Sequence, residues 1–445
     1  MKAYRASLLW FAPPGGGPAP CLFEEDGLLV VGPNAHGVQV VQAIGPWRDL
    51  AARYSNVPVQ HWPGRIIAPG FVDLHVHFPQ TNVIGSPADG LLPWLENYTF
   101  PEEKRFAAPE YSAQAATFFI AELLRNGVTT ALAFATSHPE SVDALFTQAQ
   151  TQQLRLMTGL CLMDRNAPAD LLNQPRPGSK TGATEQSLLD SERLLQKWHG
   201  RGRLGYAITP RFAPTSTEAQ LRGAGALAAK YPDVWIQSHV AENKDEIAWA
   251  RALFPHSRSY LATYDDFGLM RQRAVYAHCI HFDGDDRALM RSTGAAAAVS
   301  PTSNLFLGSG FFDYAGADRV GFQYGLASDV GGGTSFSPFH TMLAAYYVAR
   351  EGVTKQGLSL SPQALWWQHT AGAAKALGLD GSDGRPAVGN LAPGCEADFI
   401  VLNPQATPLL ARKTSIANNL DELLFSMIVL GDDRLIEHTV ISQAL

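Results

Sequence analysis

Short apolar stretches alternate with longer amphipathic stretches along most of the chain, from Ile66 onward. Short apolar runs are typical of buried strands, and apolar residues at helical spacing are typical of the helices that cover them. The predicted strands are Phe71–Phe78, Val128–Ala135, Arg155–Met163, Leu204–Thr209, Val234–Val240, Ala274–Ile280, Ala295–Ser300 and Tyr324–Asp329. The predicted helices between them include Tyr111–Arg125, Glu185–Trp198, Thr217–Lys230 and Asp245–Leu253. Successive β/α units of this number favour an α/β fold, a (β/α)8 TIM barrel, with a doubly wound open sheet as the structural alternative.

The two ends of the chain have a different pattern, made of short strand-like pieces such as Gly27–Val31 and Ala397–Leu402. We expect both ends to fold together into a small β-sandwich that flanks the barrel. The predicted division is 1–68 for the N-terminal part of the sandwich, 69–388 for the barrel, and 389–445 for the C-terminal return to the sandwich. Pro13–Pro20 is rich in Gly and Pro, which predicts a surface loop between two strands.

Composition narrows the class of protein. The chain has 445 residues with 46% hydrophobic and 17% charged residues, enough for a barrel of about 250 residues and a smaller unit with a sizeable core. The formal net charge of −7 argues against a nucleic-acid partner. The cysteines are scattered with no Cys-x-x-Cys pair, and no apolar run is long enough to span a membrane. We therefore expect free thiols and a cytoplasmic location.

Histidines and a carboxylate stand at the carboxyl ends of the predicted barrel strands, where barrel enzymes place their chemistry. The first strand ends with His75 and His77, which point to the same side because side chains alternate along a strand. The fifth strand ends at His239, the sixth at His278 and the eighth at Asp329. His75, His77, His239 and Asp329 together form a plausible ligand set for one Zn²⁺ ion with room for a water molecule.

The chemistry follows from that ion, since bound Zn²⁺ lowers the pKa of its water to roughly 7. Asp329 is placed both to bind the metal and to take a proton from the water. Glu242 lies three residues past His239 and can carry a proton to a substrate nitrogen. His278 can stabilise the oxygen of a tetrahedral adduct. Asp73 shares the inward face of the first strand and either supports the ligands or is merely structural.

Other histidines fit this pattern less well. His281 follows His278 by three residues but falls beyond the strand end, so His278 is preferred. The remaining ones are expected to be surface or packing residues: His138, His199, His256, His340, His369 and His438.

Two segments resemble signatures of the amidohydrolase superfamily: Pro69–His77 with its His-x-His ending, and Gly394–Val401 near the C-terminus. The resemblance implies a barrel with a flanking sandwich built from both termini. Ser238–Asn243 and Ala327–Gly331 are similar to the mononuclear deaminase branch of that superfamily. No lysine stands at a suitable strand end to bridge two metals, which fits a single ion.

Further segments are similar to guanine deaminases: Pro93–Pro101, Thr209–Phe212 and Ser300–Leu305. The resemblance implies hydrolytic deamination of guanine to xanthine and ammonia, and a homodimer. It also implies that Gln80 and Arg211 hold the edge of guanine, while Trp94 and Phe212 line the ring pocket. A bidentate arginine suits the adjacent O6 and N7 acceptors of guanine, and aromatic side chains suit its faces.

Competing interpretations remain open at this point. An aminohydrolase of another ring, such as an adenosine-like nucleoside, cytosine or a triazine, would use the same metal site. Arg211 and Gln80 are the residues that argue against this alternative, because adenine lacks the O6 acceptor that the arginine would bind in guanine. A non-catalytic relative that kept the barrel as a scaffold should have lost metal ligands, whereas His75, His77, His239, Glu242, His278 and Asp329 are all present.

Overall fold

The computed structural model describes residues 1–12, 19–175, 180–352 and 358–442. Its strands are β1 Lys2–Phe11, β2 Cys21–Pro33, β3 Gln39–Pro46, β4 Val59–Pro69, β5 Phe71–His77, β6 Val128–Phe134, β7 Arg155–Thr158, β8 Cys161–Leu162, β9 Leu204–Pro210, β10 Trp235–Val240, β11 Ala274–His278, β12 Ala296–Val299, β13 Gln323–Leu326, β14 Phe399–Leu402 and β15 Ile436–Val440. Of the predicted loop Pro13–Pro20, residues 13–18 lie outside the described residues.

Helices follow most barrel strands. The α-helices are α1 Trp47–Leu50, α2 Leu91–Trp94, α3 Phe100–Glu103, α4 Pro109–Arg125, α5 Pro139–Thr151, α6 Ala183–Trp198, α7 Glu218–Lys230, α8 Lys244–Leu253, α9 Tyr260–Asp266, α10 Gly284–Thr293, α11 Pro301–Phe306, α12 Tyr314–Val320, α13 Pro338–Glu351, α14 Pro362–Gln368, α15 Ala371–Ala376, α16 Pro408–Thr414 and α17 Leu420–Leu430. Shorter helical turns are Phe78–Val83, Leu95–Thr99, Lys104–Ala107, Ala213–Thr215 and Asp433–Leu435.

The predicted barrel is confirmed. Its strands pair in parallel in the order β13-β12-β11-β10-β9-β7-β6-β5, and β8 adds a short pairing with β9. The ring closes between β5 and the segment after β13, where Asp329 N donates to His75 O at 2.8 Å and His77 N donates to Val330 O at 2.8 Å. The predicted strand Arg155–Met163 is divided into Arg155–Thr158 and Cys161–Leu162. Gly159 lies between them, where a Cβ would be 1.8 Å from the carbonyl oxygen of Ala207, so this close approach requires glycine.

The barrel interior is apolar at one end and polar at the other. Buried side chains from alternate positions, such as Val72, Leu132 and Ala207, pack against the short helix α15 and close the amino-terminal end of the barrel. The outer faces of the strands pack against the surrounding helices in the largest apolar cluster. The carboxyl end is therefore left for polar side chains, as is usual in this fold.

The flanking unit is built from both termini, as predicted. Its strands form one six-stranded sheet in the order β15-β14-β4-β1-β2-β3. In this sheet the C-terminal strand β14 pairs with β4 of the N-terminal part, and β15 pairs with β14 at the edge. Arg155 and Arg203, at the amino-terminal end of the barrel, form ion pairs with Glu396, which precedes β14. These pairs connect the barrel to the sheet. The predicted boundaries at 68/69 and 388/389 stay a prediction.

The C-terminal segment also contains α16 and α17, which the strand-like pattern of residues 389–445 did not indicate. Leu424, Met427 and Ile428 of α17 are buried in the main apolar cluster of the barrel. Among the helices of the described residues, none combines the length and apolar character needed to cross a bilayer.

Candidate active site

A pocket opens at the carboxyl end of the barrel and contains about 440 Å³ of space, part of which is open to solvent. Most of the residues predicted to act on a substrate line it: His77, Gln80, Trp94, Arg211, Phe212, His239, Glu242, His278 and Asp329. His75 lies directly behind His77 and Asp329. The structure therefore brings all the predicted site residues together around one pocket.

The four predicted metal ligands converge on a small volume. His77 Nε2 lies 3.1 Å from both His75 Nε2 and His239 Nε2. Asp329 Oδ1 lies 3.2 Å from His75 Nε2 and 3.3 Å from His77 Nε2. His278 joins His75 and His239 in a second compact group of potential ligand atoms.

Local backbone structure aims these side chains. The ring of His239 is oriented by its Nδ1, which donates to the backbone oxygen of Arg211 at 2.6 Å, so its Nε2 lone pair faces the cluster. Positive φ angles at Ala241, His278 and Asp329 (49°, 74° and 51°) turn the chain sharply where the strands end. Non-glycine residues adopt this left-handed conformation at a cost, and such positions concentrate at functional sites.

The electrostatics favour a cation. Burial lowers the pKa of His77 to about 4 and that of His239 well below its ordinary value, so both imidazoles are neutral near pH 7. Burial alone would raise the pKa of Asp329, but the nearby imidazoles of His75 and His77 hold it well below its ordinary value. Neutral imidazoles and one ionised carboxylate are the protonation states that metal binding requires.

Asp73 does not contact an imidazole. It accepts hydrogen bonds from the backbone N–H of His75 at 3.2 Å and from the backbone N–H and hydroxyl of Ser328 at 3.1 Å and 2.5 Å. Burial raises the pKa of Asp73 to about 6. Asp73 thus links the strand that carries His75 to the turn that carries Asp329, across the closure of the barrel.

Glu242 is held at the rim of the metal cluster. Its Oε1 accepts a hydrogen bond from the hydroxyl of Ser309 at 2.9 Å, and its Oε2 lies 3.3 Å from His278 Nε2. Burial, and secondarily the charge of Asp329, raise the pKa of Glu242 to about 8. A carboxyl group in this environment is protonated near neutral pH and can donate a proton.

The chain around Glu242 is fixed by the start of α8. Asn243 caps this helix and forms a capping box with Glu246, whose Oε2 also accepts from the backbone N–H of Glu242 at 3.2 Å. Glu246 is buried at the pocket and accepts a hydrogen bond from the hydroxyl of Tyr260 at 2.7 Å. Burial, and secondarily Glu242, raise the pKa of Glu246 to about 7.

Arg211 and Gln80 share a partner that the sequence did not reveal. Arg211 Nη1 and Nη2 donate to the two carboxylate oxygens of Glu103 at 2.5 Å and 3.1 Å. Gln80 Nε2 donates to Glu103 Oε1 at 3.0 Å, and Gln80 Oε1 accepts from Gly331 N at 3.3 Å. Burial alone would lower the pKa of Arg211, but Glu103 outweighs it and the pKa is raised.

Aromatic and aliphatic side chains form the walls of the pocket. Trp94 is buried at the end of α2, and Phe212 follows Arg211 and contacts Trp249 with a ring-centroid distance of 5.9 Å. Leu91 and Leu307 complete an apolar lining that suits a flat ring.

Sequence reasoning missed Glu103, Glu246 and Ser309. Glu103 lies two residues past the segment Pro93–Pro101 that resembles guanine deaminases. This closeness to the segment is the one feature of the sequence that could have indicated a role for Glu103. Glu246 could have been found from the capping-box spacing after Asn243. His281, the alternative to His278, lies outside the cluster, and its Nε2 donates to the backbone oxygen of Ser309 at 3.0 Å.

Comparison with known proteins agrees with this arrangement. Residues 66–442 match the model of the amidohydrolase family. The chain is 41% identical over 424 residues to guanine deaminase from Escherichia coli, covering 95% of this chain and 91% of the relative. The solved structure of E. coli guanine deaminase matches with a TM-score of 0.91 at 40% identity, covering 99% of this chain and 98% of that chain.

A guanine deaminase from C. acetobutylicum with guanine bound in its active site matches with a TM-score of 0.87 at 29% identity, covering 99% of this chain and 98% of that chain. The fold, the extent of the match and the level of identity all lead to one assignment. The chain belongs to the amidohydrolase family and, within it, to the group of guanine deaminases.

Proposed function

We propose that this chain hydrolyses guanine to xanthine and ammonia, a step of purine catabolism, with one Zn²⁺ ion per chain. The observation that carries the proposal is the pocket itself. It joins His77, His239 and Asp329 on one side to Arg211 and Gln80 on the other. The names of the relatives, which include a guanine-bound structure, support the same substrate.

The donor set fits Zn²⁺. Ligand atoms that surround one zinc ion at ordinary bond lengths in a tetrahedron lie about 3.3 Å apart. The separations of His77 from His75 and His239, and of Asp329 from His75 and His77, are 3.1–3.3 Å. We therefore assign these residues as the ligands. When bound, the ion supplies an activated water as nucleophile by lowering the pKa of that water to roughly 7.

The chain's own residues carry the protons. Asp329 directs Oδ1 towards His75 and His77, while its Oδ2 faces His278 at 3.8 Å and is free to accept a proton from the attacking water. Glu242 donates its proton to the ring nitrogen beside C2, which draws electrons from the carbon under attack. His278 stabilises the oxygen that becomes negative in the tetrahedral adduct.

The collapse of the adduct completes the reaction. Glu242, ionised after the first transfer, takes the remaining hydroxyl proton of the adduct and passes it to the amino group. Ammonia then leaves from C2, and the oxygen from water remains as the carbonyl of xanthine. The proton that Asp329 took from the water returns Glu242 to its acid form. Arg211 and Gln80 hold the edge of the ring, and Trp94 and Phe212 keep its faces out of water. The residues predicted from the sequence thus act together in one addition and elimination at C2.

Location and assembly complete the proposal. We place the enzyme in the cytoplasm as a homodimer, with the barrel spanning residues 69–388. Scattered cysteines without a disulfide support a reducing compartment, since Cys21, Cys161, Cys279 and Cys395 are all free. Sedimentation at several protein concentrations measures the oligomeric state.

Parallel assays of ammonia release from guanine, adenine, cytosine and their nucleosides test the substrate. We expect turnover of guanine, with kcat/KM for adenine lower by at least ~10², because a buried arginine that lacks its acceptor remains unsatisfied. Preference for adenine, cytosine or a triazine would overturn the guanine assignment, while the zinc-dependent deamination could survive.

Replacing Arg211 by Lys tests how the ring is held. Lysine keeps a positive charge beside Glu103 but lacks the planar fork of donors. We expect kcat/KM for guanine to fall ~10–100-fold and the preference for guanine over adenine to narrow, with zinc content unchanged. The control is Arg222→Lys, since the Arg222 side chain is 71% exposed on α7. Native kcat/KM in Arg211→Lys would show that Arg211 does not hold the base.

A further inference from the structure

We propose that Glu103 is a positioning residue that orients Arg211 and Gln80 as one unit and thereby sets which edge of a purine the pocket accepts. The inference deepens the proposed function and rests on it. Glu103 contacts neither the metal ligands nor the apolar walls among the contacts described above. It acts through the two side chains that hold the ring.

The geometry of the carboxylate carries the inference. Glu103 is fully buried and accepts three hydrogen bonds: two from Arg211, at 2.5 Å and 3.1 Å, and one from Gln80, at 3.0 Å. The two bonds from Arg211 come from Nη1 and Nη2, so they fix the plane and the direction of the guanidinium. The guanidinium also hydrogen-bonds the thiol of Cys161, so at most two of its five N–H groups remain to meet a ligand.

Gln80 is oriented by the same contact. An ionised carboxylate can only accept hydrogen bonds, so the amide of Gln80 must turn its Nε2 towards Glu103. Its Oε1 then faces Gly331 N, two residues past Asp329. Glu103 therefore decides which end of this amide is a donor and which is an acceptor beside the pocket. The same choice of donors and acceptors distinguishes guanine from adenine.

Stability alone does not account for a buried pair of this kind. The desolvation of two charges offsets most of their attraction, so such a pair contributes little net folding free energy relative to apolar side chains. Arg211 also lies 5.4 Å from the ring centroid of Phe100, which belongs to α3 as Glu103 does. Both contacts of α3 with Arg211 serve to hold the guanidinium still. Preorganised side chains bind a ligand more tightly because less freedom is lost on binding.

Glu103→Gln is the direct test. The new amide keeps the shape but places an NH₂ donor against Arg211 and Gln80, which are donors on that side. We expect KM for guanine to rise at least ~10-fold, kcat to change little, and the preference for guanine over adenine to narrow. Zinc content should stay the same, because the ligands are untouched.

Glu102→Gln is the matched control. Glu102 is the preceding residue of α3, but its carboxylate accepts from Asn82 at 2.8 Å and from Arg105 at 2.9 Å, away from Arg211. This variant should keep the native KM for guanine. Should Glu103→Gln fail to fold, Glu103→Asp keeps the charge but is too short to reach Arg211 and Gln80 together, and the same rise in KM is expected.

A double variant separates positioning from a general structural effect. If Glu103 acts through Arg211, adding Glu103→Gln to Arg211→Lys should cost much less than it costs in the unaltered protein. Independent, additive losses would overturn the proposal, as would a native KM in a folded Glu103 variant or a fall in kcat alone. Turnover of guanine by the unaltered protein tests the proposed function separately; if another ring is preferred, the same comparisons are made with that ring.

Discussion

Removing the metal with a chelator is expected to reduce ammonia release from guanine to the background rate, and adding Zn²⁺ is expected to restore it. The reason is that His75, His77, His239 and Asp329 offer three imidazole nitrogens and a carboxylate oxygen at the spacing of one ion. Bound Zn²⁺ lowers the pKa of its water to roughly 7, so the activated nucleophile is lost with the ion. Metal analysis of the purified protein should give about one zinc per chain.

Single ligand variants extend this prediction. His239→Ala should lose both zinc and activity, because it removes one of the four ligands and the imidazole anchored to Arg211. His256→Ala is the control, since the His256 side chain is 76% exposed and pairs with Glu218 rather than with a proposed metal ligand. Two ions per chain, or full activity of the metal-free protein, would contradict the assignment.

Much of the fold could be predicted because the barrel repeats one simple pattern. The strands that contain Val128 and Leu204 begin where the sequence indicates, since an apolar run between two amphipathic helices has little alternative in an α/β protein. The last barrel strand is shorter at its carboxyl end than the predicted range Tyr324–Asp329. It ends at Leu326, and Asp329 stands beyond it in a turn with positive φ. The bond from Asp329 N to His75 O, which holds this segment against β5, joins distant parts of the chain and leaves no local signal of where the strand ends.

The C-terminal segment shows where apolar patterning is ambiguous. After its first turn the run Leu420–Leu430 is apolar except for Ser426, and such a run suits a buried strand as well as a buried helix. Packing against the barrel decides the outcome, because the run is covered on one side by α13 and α14. That contact joins residues far apart in the chain, and no local rule anticipates it.

Some residues of the candidate site could likewise be predicted from the sequence, and others could not. His75, His77 and Asp329 could be found because strand ends meet at one rim of a barrel. Glu103 could not, because it lies in the run Glu102–Arg105, whose charges look like those of an exposed helix. Its partner Arg211 is 108 residues away along the chain. Only the fold shows that Glu103 is buried against Arg211 of the pocket, whereas the adjacent Glu102 pairs with Arg105.

Glu242→Gln is expected to lower kcat by at least ~10², the lower end of the range for general acid–base catalysis. Glutamine has nearly the same shape and can keep the hydrogen bond from Ser309, so folding and zinc content should be retained. What it cannot do is hold and release a proton. The environment of Glu242 is built for that purpose, because burial raises its pKa to about 8 and keeps the acid form available near neutral pH.

The control for this prediction is Asp245→Asn, three residues on, whose side chain is exposed at the start of α8. It removes a carboxylate that is close to Glu242 in the sequence but does not line the pocket. The kcat of this variant should therefore match that of the unaltered protein. Comparing the change in kcat with the change in KM gives a second readout. Because Glu242 acts in the chemical step, Glu242→Gln should change kcat far more than KM, the opposite of the split expected for Glu103→Gln. A near-native kcat in Glu242→Gln would place the proton shuttle elsewhere, and Glu246, the other buried carboxyl group at the pocket with a raised pKa, would be the next residue to replace.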